Sequence, residues 1–509
     1  MELETTCGRV GLTETVFDDV EERPIDCDFV LPDYLPEITA ILKCRMHPVV
    51  QSYQISGDRV IADGTVHLQL LYLDEERRCP HSYEHTQPFS SAFTVKELKN
   101  GDVVRLSAKV NYVNCRATSP RRVDVHGAFG VRLTVAAQKT IEAVTEVVGE
   151  GVHARNCTLI GMVPMGCSQK TVSVNEVVEL GATAEGTIVR SDAVAVVTEC
   201  RQLRGKAVIK GDLLVTVVCV TDTHSGALHH RCERIPFSQI VDAEGLTEQQ
   251  VCDCRVAVTA CDLRPVQDPA GEMRLLSVAA KLTVTLCCYG EEPYRCVNVA
   301  FHTTYPLCLE RVRLCAERIA YVRTDTASVT IALPLPDGDI DEVVDAWCEP
   351  MAAECREEEG QTRLCGQLLV GMIARDGSGM LAYYERPAEL ETLLPDACAK
   401  ETAELAPLEM AFSKNGGQLE CRLQLLVQRV GKFCEEQTVI TKVTADEASP
   451  YTVDGVLAGC CLKVCYASAG ESVWELARRE HTSPDAIKKE NGLTTDVLEC
   501  DSVLLLPLR

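Results

Sequence analysis

Hydrophobic and polar residues alternate along most of this chain. In residues 62–74, Val66, Leu68 and Leu70 are separated by Thr65, His67 and other outward-facing positions. This period-two alternation is typical of antiparallel strands with one face on a core and the other in water. Similar runs occupy residues 104–112, 123–135, 254–260, 276–286 and 419–427. We therefore predict a mainly β protein, because long amphipathic helical patterns are scarce before residue 470.

The strand patterns recur as blocks. Residues 62–74, 209–222 and 364–376 each carry a strand that a glycine opens, at Gly64, Gly211 and Gly366. Pro-Phe follows at 88–89 and 236–237, and Pro387 stands at the corresponding place in the third block. A late hairpin strand completes each block, at 123–135, 274–286 and 418–429. The interval of about 150 residues is too long for a solenoid repeat and indicates tandem domains.

These anchors predict three antiparallel β units, each built as a sandwich or a partly closed barrel. The first unit spans residues 1–149, the second 150–297, and the third, which diverges most, 298–445. Residues 446–461 form a linker, and residues 462–509 form a small separate domain. Each glycine marks a bulge or a close approach of two backbones, with a ligand role as the alternative.

The last segment changes character. Val464 and Tyr466 suit a short strand, and residues 503–506 suit another. Between them, Ser472 and Glu475 have the spacing of a capping box that opens one helix. Ser483-Pro484-Asp485 opens a second helix, which Gly492 ends. The pattern predicts a β-α-α-β unit.

The net charge of the chain excludes some classes of binding partner. Lys and Arg number 50 against 75 Asp and Glu, a net charge of −25. We see no basic block, so binding to nucleic acid or to an anionic membrane is not expected. The apolar runs are too short to insert into a bilayer. The acidic N-terminal residues lack the features of a secretory signal, so we expect a cytosolic chain.

The 28 cysteines have no C-x-x-C spacing, so no metal site is predicted. Most are expected to be small buried hydrophobic residues. Cys79, Cys232 and Cys500 lie in polar surroundings and are the candidates for oxidative cross-linking.

Catalytic motifs are absent from the sequence. It contains no phosphate-binding glycine loop and no nucleophile elbow. His81 and His85 are expected in a polar loop and His229-His230 in a turn, all as solvated side chains. We therefore expect a protein that is not an enzyme and needs no cofactor.

The C-terminal segment resembles a LysM module. The residues that carry the resemblance are Gly470-Glu471-Ser472-Val473-Trp474, Thr482 with Ile487, Asn491, and Leu504-Leu505-Leu506-Pro507. The resemblance implies a βααβ fold that contacts N-acetylglucosamine polymers or a protein partner through two loops. The contacting residues would be Gly470, Glu471, Ser472 and Val473 on one side and Asn491, Gly492 and Leu493 on the other. Glu471 and residues 500–502 depart from the family pattern, and Trp474 is expected in the core.

Three β units before such a tail are similar to the spore coat morphogenetic proteins that carry SPOCS repeats. The resemblance implies an assembly scaffold in the mother-cell cytoplasm, at the forespore surface. Its implied partners are the basement-layer ATPase of the coat, stage IV sporulation protein A, and other coat proteins. The alternative is a cell-wall protein that binds peptidoglycan or N-acetylglucosamine polymers.

Overall fold

Antiparallel strands make up nearly all of the regular structure of the protein. The computed structural model describes residues 3–77, 79–96, 98–99, 101–184, 188–222, 224–334, 340–415, 418–451 and 462–507. Two short helices lie near the C-terminus. The prediction of a mainly β fold is confirmed.

The first eighteen strands fall into three successive sets of six. The first set is β1 (Glu4–Val30), β2 (Ala40–Ser56), β3 (Arg59–Leu73), β4 (Pro80–Thr94), β5 (Val103–Ser119) and β6 (Arg122–Val148). The second set is β7 (Val152–Glu179), β8 (Ile188–Leu203), β9 (Lys206–Asp222), β10 (Ala227–Asp242), β11 (Val251–Val266) and β12 (Leu275–His302). The third set is β13 (Leu307–Pro334), β14 (Ile340–Glu358), β15 (Gln361–Asp376), β16 (Leu381–Leu394), β17 (Lys400–Asn415) and β18 (Gln418–Ala445). We call these sets repeats 1, 2 and 3.

Each repeat contains two three-stranded sheets with the same strand order. In repeat 1 the orders are β1-β6-β5 and β2-β3-β4. Repeat 2 has β7-β12-β11 and β8-β9-β10, and repeat 3 has β13-β18-β17 and β14-β15-β16. The alternating apolar residues of the central strands meet between the two sheets and form a separate core in each repeat.

Gly64 and Gly211 allow a close approach inside the sheets. A Cβ at Gly64 would lie 2.2 Å from the carbonyl oxygen of Val49 and 2.5 Å from the Phe89 ring. Gly211 has the same relation to Val196 and Phe237. The predicted close backbone approach is confirmed at both glycines, and the phenylalanine of each Pro-Phe pair occupies the space above them.

Repeat 3 breaks this pattern, and the predicted place of Pro387 was wrong. Leu390, and not an aromatic residue, lies opposite Gly366. Pro387 lies opposite Leu369, whereas Pro88 lies opposite Thr65, the residue directly after the glycine. The strand register therefore places Pro387 two positions away from the other two prolines.

Two of the predicted boundaries can be compared with the strands. The boundary at 297/298 falls inside β12, which continues to His302 before the turn at residues 303–306. Most of the predicted linker, residues 452–461, lies outside the described residues.

The C-terminal unit consists of β19 (Leu462–Ala467), α1 (Val473–Arg479), α2 (Pro484–Asn491) and β20 (Ser502–Pro507). The two strands pair antiparallel. Ser483 caps α2 by accepting the backbone N–H of Ala486, and Gly492 ends that helix with a left-handed backbone, φ 65°.

The predicted capping box on α1 was wrong. The Ser472 hydroxyl makes no capping hydrogen bond. The backbone of Ser472 instead forms a β-bridge with Val497, and the neighbouring N–H of Val473 donates to the carbonyl of Asp496. Glu475 pairs with Arg478. Backbone pairing thus replaces the side-chain cap.

The three repeats share cores with one another as well as having their own. Residues of β1, β6, β7, β12, β13 and β18 form two clusters between the repeats, which include Val10, Ala143, Leu159, Leu314, Val439, Val144, Val297 and Ile440. A further cluster joins the other sheets through residues that include Leu71, Val220, Trp347 and Ile373. Because every repeat contributes, the three units pack around a common centre.

Buried charges lie at this centre. Arg190 of repeat 2 donates two hydrogen bonds to the carboxylate of Asp345 in repeat 3, at 2.5 and 2.6 Å. Arg45 of repeat 1 donates to Asp192 of repeat 2 at 2.8 Å. The Trp347 ring lies beside both guanidinium groups, 5.0 Å from that of Arg45 and 5.4 Å from that of Arg190. These contacts link all three repeats in one polar cluster, which we call the central cluster.

Removing one partner of the central cluster should be costly. Arg190 and Asp345 are each 2% exposed, so Arg190→Met leaves a buried carboxylate without its bidentate partner. We expect a loss of about 3–5 kcal/mol in the free energy of unfolding, measured by urea denaturation. The double variant Arg190→Met/Asp345→Leu should recover much of this loss.

The matched control is Arg122→Met, because Arg122 pairs with Asp28 on the surface. Its loss should stay below about 1 kcal/mol. Equal losses in Arg190→Met and Arg122→Met would show that the central cluster does not stabilise the fold.

Candidate functional site

The C-terminal unit packs against one end of repeat 2. Trp474, from the first turn of α1, lies edge-on to Phe301 of β12, with ring centroids 5.1 Å apart. Arg155 of β7 stacks on the Trp474 ring at 4.8 Å. The ring is 8% exposed, and it joins Phe301 to the core of the unit. Trp474 is therefore a core residue, as predicted, and it also holds the unit against β7 and β12.

A second contact with the unit comes from Tyr451, in the segment that follows repeat 3. Tyr451 stacks on His481, with ring centroids 3.5 Å apart, and its backbone N–H donates to the carbonyl of Thr304 after β12. Arg155 also lies 3.8 Å from Asp496 of the unit. The unit thus contacts repeat 2 through aromatic stacking and charge together.

The first predicted binding loop is tied to the segment before β20. The Gly470 N–H donates to the carbonyl of Leu498, and the Leu498 N–H donates to that of Glu471, at 2.8 and 3.0 Å. The Glu471 carboxylate accepts from Arg479 at 2.7 Å. Val473 is fully buried, whereas Ser472 is half-buried and Gly470 exposed. Only part of this loop is available to a ligand.

The second predicted loop is built around Asn491. Its side-chain amide donates to the carbonyls of Ile487 and Leu505 and accepts from the Leu505 N–H, at 2.7–2.8 Å. These bonds fix the end of α2 to β20. Gly492 is exposed and Leu493 half-buried. Asn491 therefore acts within the fold, since its amide bonds are used internally.

An apolar surface on the sheet of this unit has no partner among the described residues. Tyr466 and Val464 of β19 lie opposite Val503 and Leu505 of β20, so they share one face. Tyr466 is 80% exposed, and the other three are between 37% and 58% exposed. We call this surface, with Leu462, the open face. Contiguous exposed apolar patches on soluble domains usually mark interaction sites. The β-α-α-β pattern did predict Val464 and Tyr466 on a strand, but it did not show that they face outward.

The predicted cross-linking cysteines lie in different environments. Cys232 of β10 and Cys500 before β20 are exposed. Cys79 is half-buried, and burial raises the pKa of its thiol to about 11. Because the thiolate is the reactive form, Cys79 is a weaker nucleophile at neutral pH than an ordinary exposed cysteine.

The histidines that were expected in loops lie on strands, so that expectation was wrong. His81 and His85 belong to β4, where His81 lies 3.0 Å from Asp74 and His85 stacks on Phe29. His229 and His230 belong to β10, and the ring of His229 contacts the carbonyl of Leu180. Across the part of the chain that the structure describes, no three His, Cys, Asp or Glu side chains are arranged to hold a metal ion.

Neither described helix is long and apolar enough to cross a membrane. A pocket of about 200 Å³ lies between repeats 2 and 3, lined by residues that include Val196, Arg234 and Thr324. Pockets that bury drug-sized ligands usually have a volume of about 300–1,000 Å³. This pocket is smaller, and it is lined mainly by aliphatic side chains and threonines.

Comparison with known proteins associates two segments with one family. Residues 37–118 and 186–266 match the family described as SipL, SPOCS domain. The first match covers β2 to β5 and the second covers β8 to β11, so each takes in the four middle strands of a repeat. This match implies a role connected with sporulation and the spore coat. No curated protein matches the chain.

The docking of the C-terminal unit can be tested from outside the unit. Phe301→Ala removes the ring against which Trp474 packs, and burial of a phenylalanine contributes about 1.5–3 kcal/mol. Because docking stabilises the folded unit, amide hydrogen exchange across α1 should become about tenfold faster or more. Phe412→Ala in repeat 3, far from the unit, is the control. Unchanged exchange in Phe301→Ala would show that the unit does not depend on repeat 2.

Proposed function

We propose that this chain is a non-enzymatic assembly scaffold of the bacterial endospore coat. The observation that carries the proposal is the match of both repeat 1 and repeat 2 to the SPOCS domain family. Two copies of one domain in a single chain offer similar surfaces to several partners, and linked contacts strengthen one another through high effective concentration. The site of action would be the mother-cell cytoplasm, at the forespore surface.

The C-terminal unit is proposed to be a LysM-like module that docks on a protein. Its element order, β19-α1-α2-β20, is the order that the LysM resemblance implies. The open face supports a protein partner because Tyr466, Val464 and Val503 together offer apolar area to a folded surface. The proposed partner is the coat ATPase, stage IV sporulation protein A, and other coat proteins would bind the repeats.

Glycan binding is the alternative for the same unit. The internal hydrogen bonds of Asn491 and the burial of Val473 favour the protein partner, because these two residues have little capacity left for a sugar. Gly470 and Gly492 remain exposed and could contact a sugar through their backbone. No cofactor and no nucleic acid enters either proposal.

A charge on the open face should prevent docking. Tyr466→Asp places a carboxylate on the apolar surface, where burial against a partner would remove its water. We expect the affinity of the full-length chain for purified stage IV sporulation protein A to fall at least about tenfold, measured by calorimetry. A fluorescent fusion of the variant should lose its localisation at the forespore.

Lys489→Gln, an exposed change on α2, is the control for this variant and should leave both readouts unchanged. Equal binding by Tyr466→Asp and by the unmodified chain would contradict docking through the open face. Loss of forespore localisation without loss of binding would assign the open face to a different partner.

Titration of the full-length chain with chitin oligomers and muropeptides separates the two functions. We expect no saturable heat of binding. Saturable binding that Tyr466→Asp leaves unchanged would instead assign the unit to cell-wall glycan.

A further inference from the structure

Four cysteines form two facing pairs across one sheet of repeat 2. Cys287 and Cys288 are neighbours on the central strand, β12. Cys167 of β7 lies directly opposite Cys287, and the two sulfur atoms are 2.9 Å apart. Cys252 of β11 lies directly opposite Cys288, with the sulfur atoms 3.1 Å apart. The central strand therefore has a thiol partner on each side.

The register of the strands places the cysteines of each pair within the Cα separation that a disulfide bond spans. Residues directly opposite in an antiparallel pair have Cα atoms about 4.5–5.5 Å apart. Disulfide bonds span Cα distances of about 4.4–6.8 Å. Neither pair needs a shift of the backbone before its sulfur atoms can join.

The corresponding sheet of repeat 3 contains a disulfide between the same two strands, although its two cysteines lie diagonally and not directly opposite each other. Cys315 of β13 and Cys434 of β18 are joined in a disulfide. These strands occupy the same places in their sheet as β7 and β12 in repeat 2. The architecture thus accommodates a covalent link between its two longest strands.

We propose that Cys167 with Cys287, and Cys252 with Cys288, are a peroxide-sensitive pair of dithiols that form two disulfides and join all three strands of the sheet β7-β12-β11. One cysteine is suited to react first. A hydrogen bond from Cys167 lowers the pKa of the Cys287 thiol, and the positive charge of Arg105 acts in the same direction. Cys287 therefore provides the thiolate.

The chemistry balances with hydrogen peroxide as the oxidant. The Cys287 thiolate attacks one oxygen of the peroxide, forms a sulfenic acid and releases hydroxide. The sulfur of Cys167 then attacks the sulfenic sulfur and displaces its oxygen as water, which completes the disulfide. In sum, two thiols and one peroxide give one disulfide and two waters. The second pair reacts with the same balance.

Non-reducing peptide mapping of the full-length chain tests the proposal. The chain is treated with hydrogen peroxide, its remaining thiols are alkylated, and it is digested with trypsin. Cys167 lies in the peptide 156–170, Cys252 in 235–255, and both central cysteines in 282–295. We expect these three peptides to appear as one linked species that separates on reduction.

The sequence offers a matched control within each outer peptide, because each carries a second cysteine. Cys167→Ala should release the peptide 156–170, whereas Cys157→Ala should leave it linked. Cys252→Ala should release the peptide 235–255, whereas Cys254→Ala should leave it linked. Circular dichroism establishes that each variant is folded before treatment.

The peptide map can contradict the proposal in two ways. Linkage that follows Cys157 or Cys254, or alkylation of all four thiols after peroxide treatment of the unmodified chain, would overturn the proposal. If the bonds form, the oxidised chain should also show a higher melting temperature than the reduced chain. This difference should be smaller in Cys287→Ala/Cys288→Ala, which keeps only the contribution of the Cys315–Cys434 bond.

Discussion

A charge can be buried only where an opposite charge lies beside it, and this requirement governs the place where the three repeats meet. In each repeat, one residue lies opposite the seventh residue after the opening glycine of the central strand. These residues are Lys43 in repeat 1, Arg190 in repeat 2 and Asp345 in repeat 3. Arg45, Asp192 and Trp347 occupy the equivalent positions two residues further along. Charges of one sign at all three positions of either level would meet without a counter-charge. The repeats must therefore differ at these positions.

This requirement explains much of the divergence of repeat 3. It supplies Asp345 to Arg190 and the ring of Trp347 to both arginines. Gly371 lies opposite Trp347, and a Cβ there would come within 2.7 Å of the ring. The extra glycine in the third strand pattern thus makes room for the tryptophan. The residues at which repeat 3 differs therefore complement the charges of repeats 1 and 2, and they are not the loss of a repeat pattern.

Period-two alternation was sufficient to predict a mainly β fold, because a strand that covers a core carries an apolar face and a polar face. The Pro-Phe pairs that follow Gly64 and Gly211 were also visible in the sequence, but the packing of their phenylalanine rings above these glycines was not. The central cluster could not be predicted, because Arg190 and Asp345 are 155 residues apart in the sequence. Each is an ordinary polar position in its own strand. The outward direction of Tyr466 could not be predicted either, because an exposed aromatic residue and a core one produce the same alternation in a two-stranded sheet.

Three similar units around a common centre would have three equivalent ends, but only one of them carries the C-terminal unit. Phe301, His153 and Arg155 provide the aromatic and cationic contacts for Trp474 at the end of β7 and β12. The residues that correspond to Phe301 in the other two repeats are Val148 and Thr444, and neither has an aromatic ring. The molecule therefore has a polarity that its repeats lack. Copies arranged side by side in a layer could all point their open faces in one direction, which gives such a layer an inside and an outside.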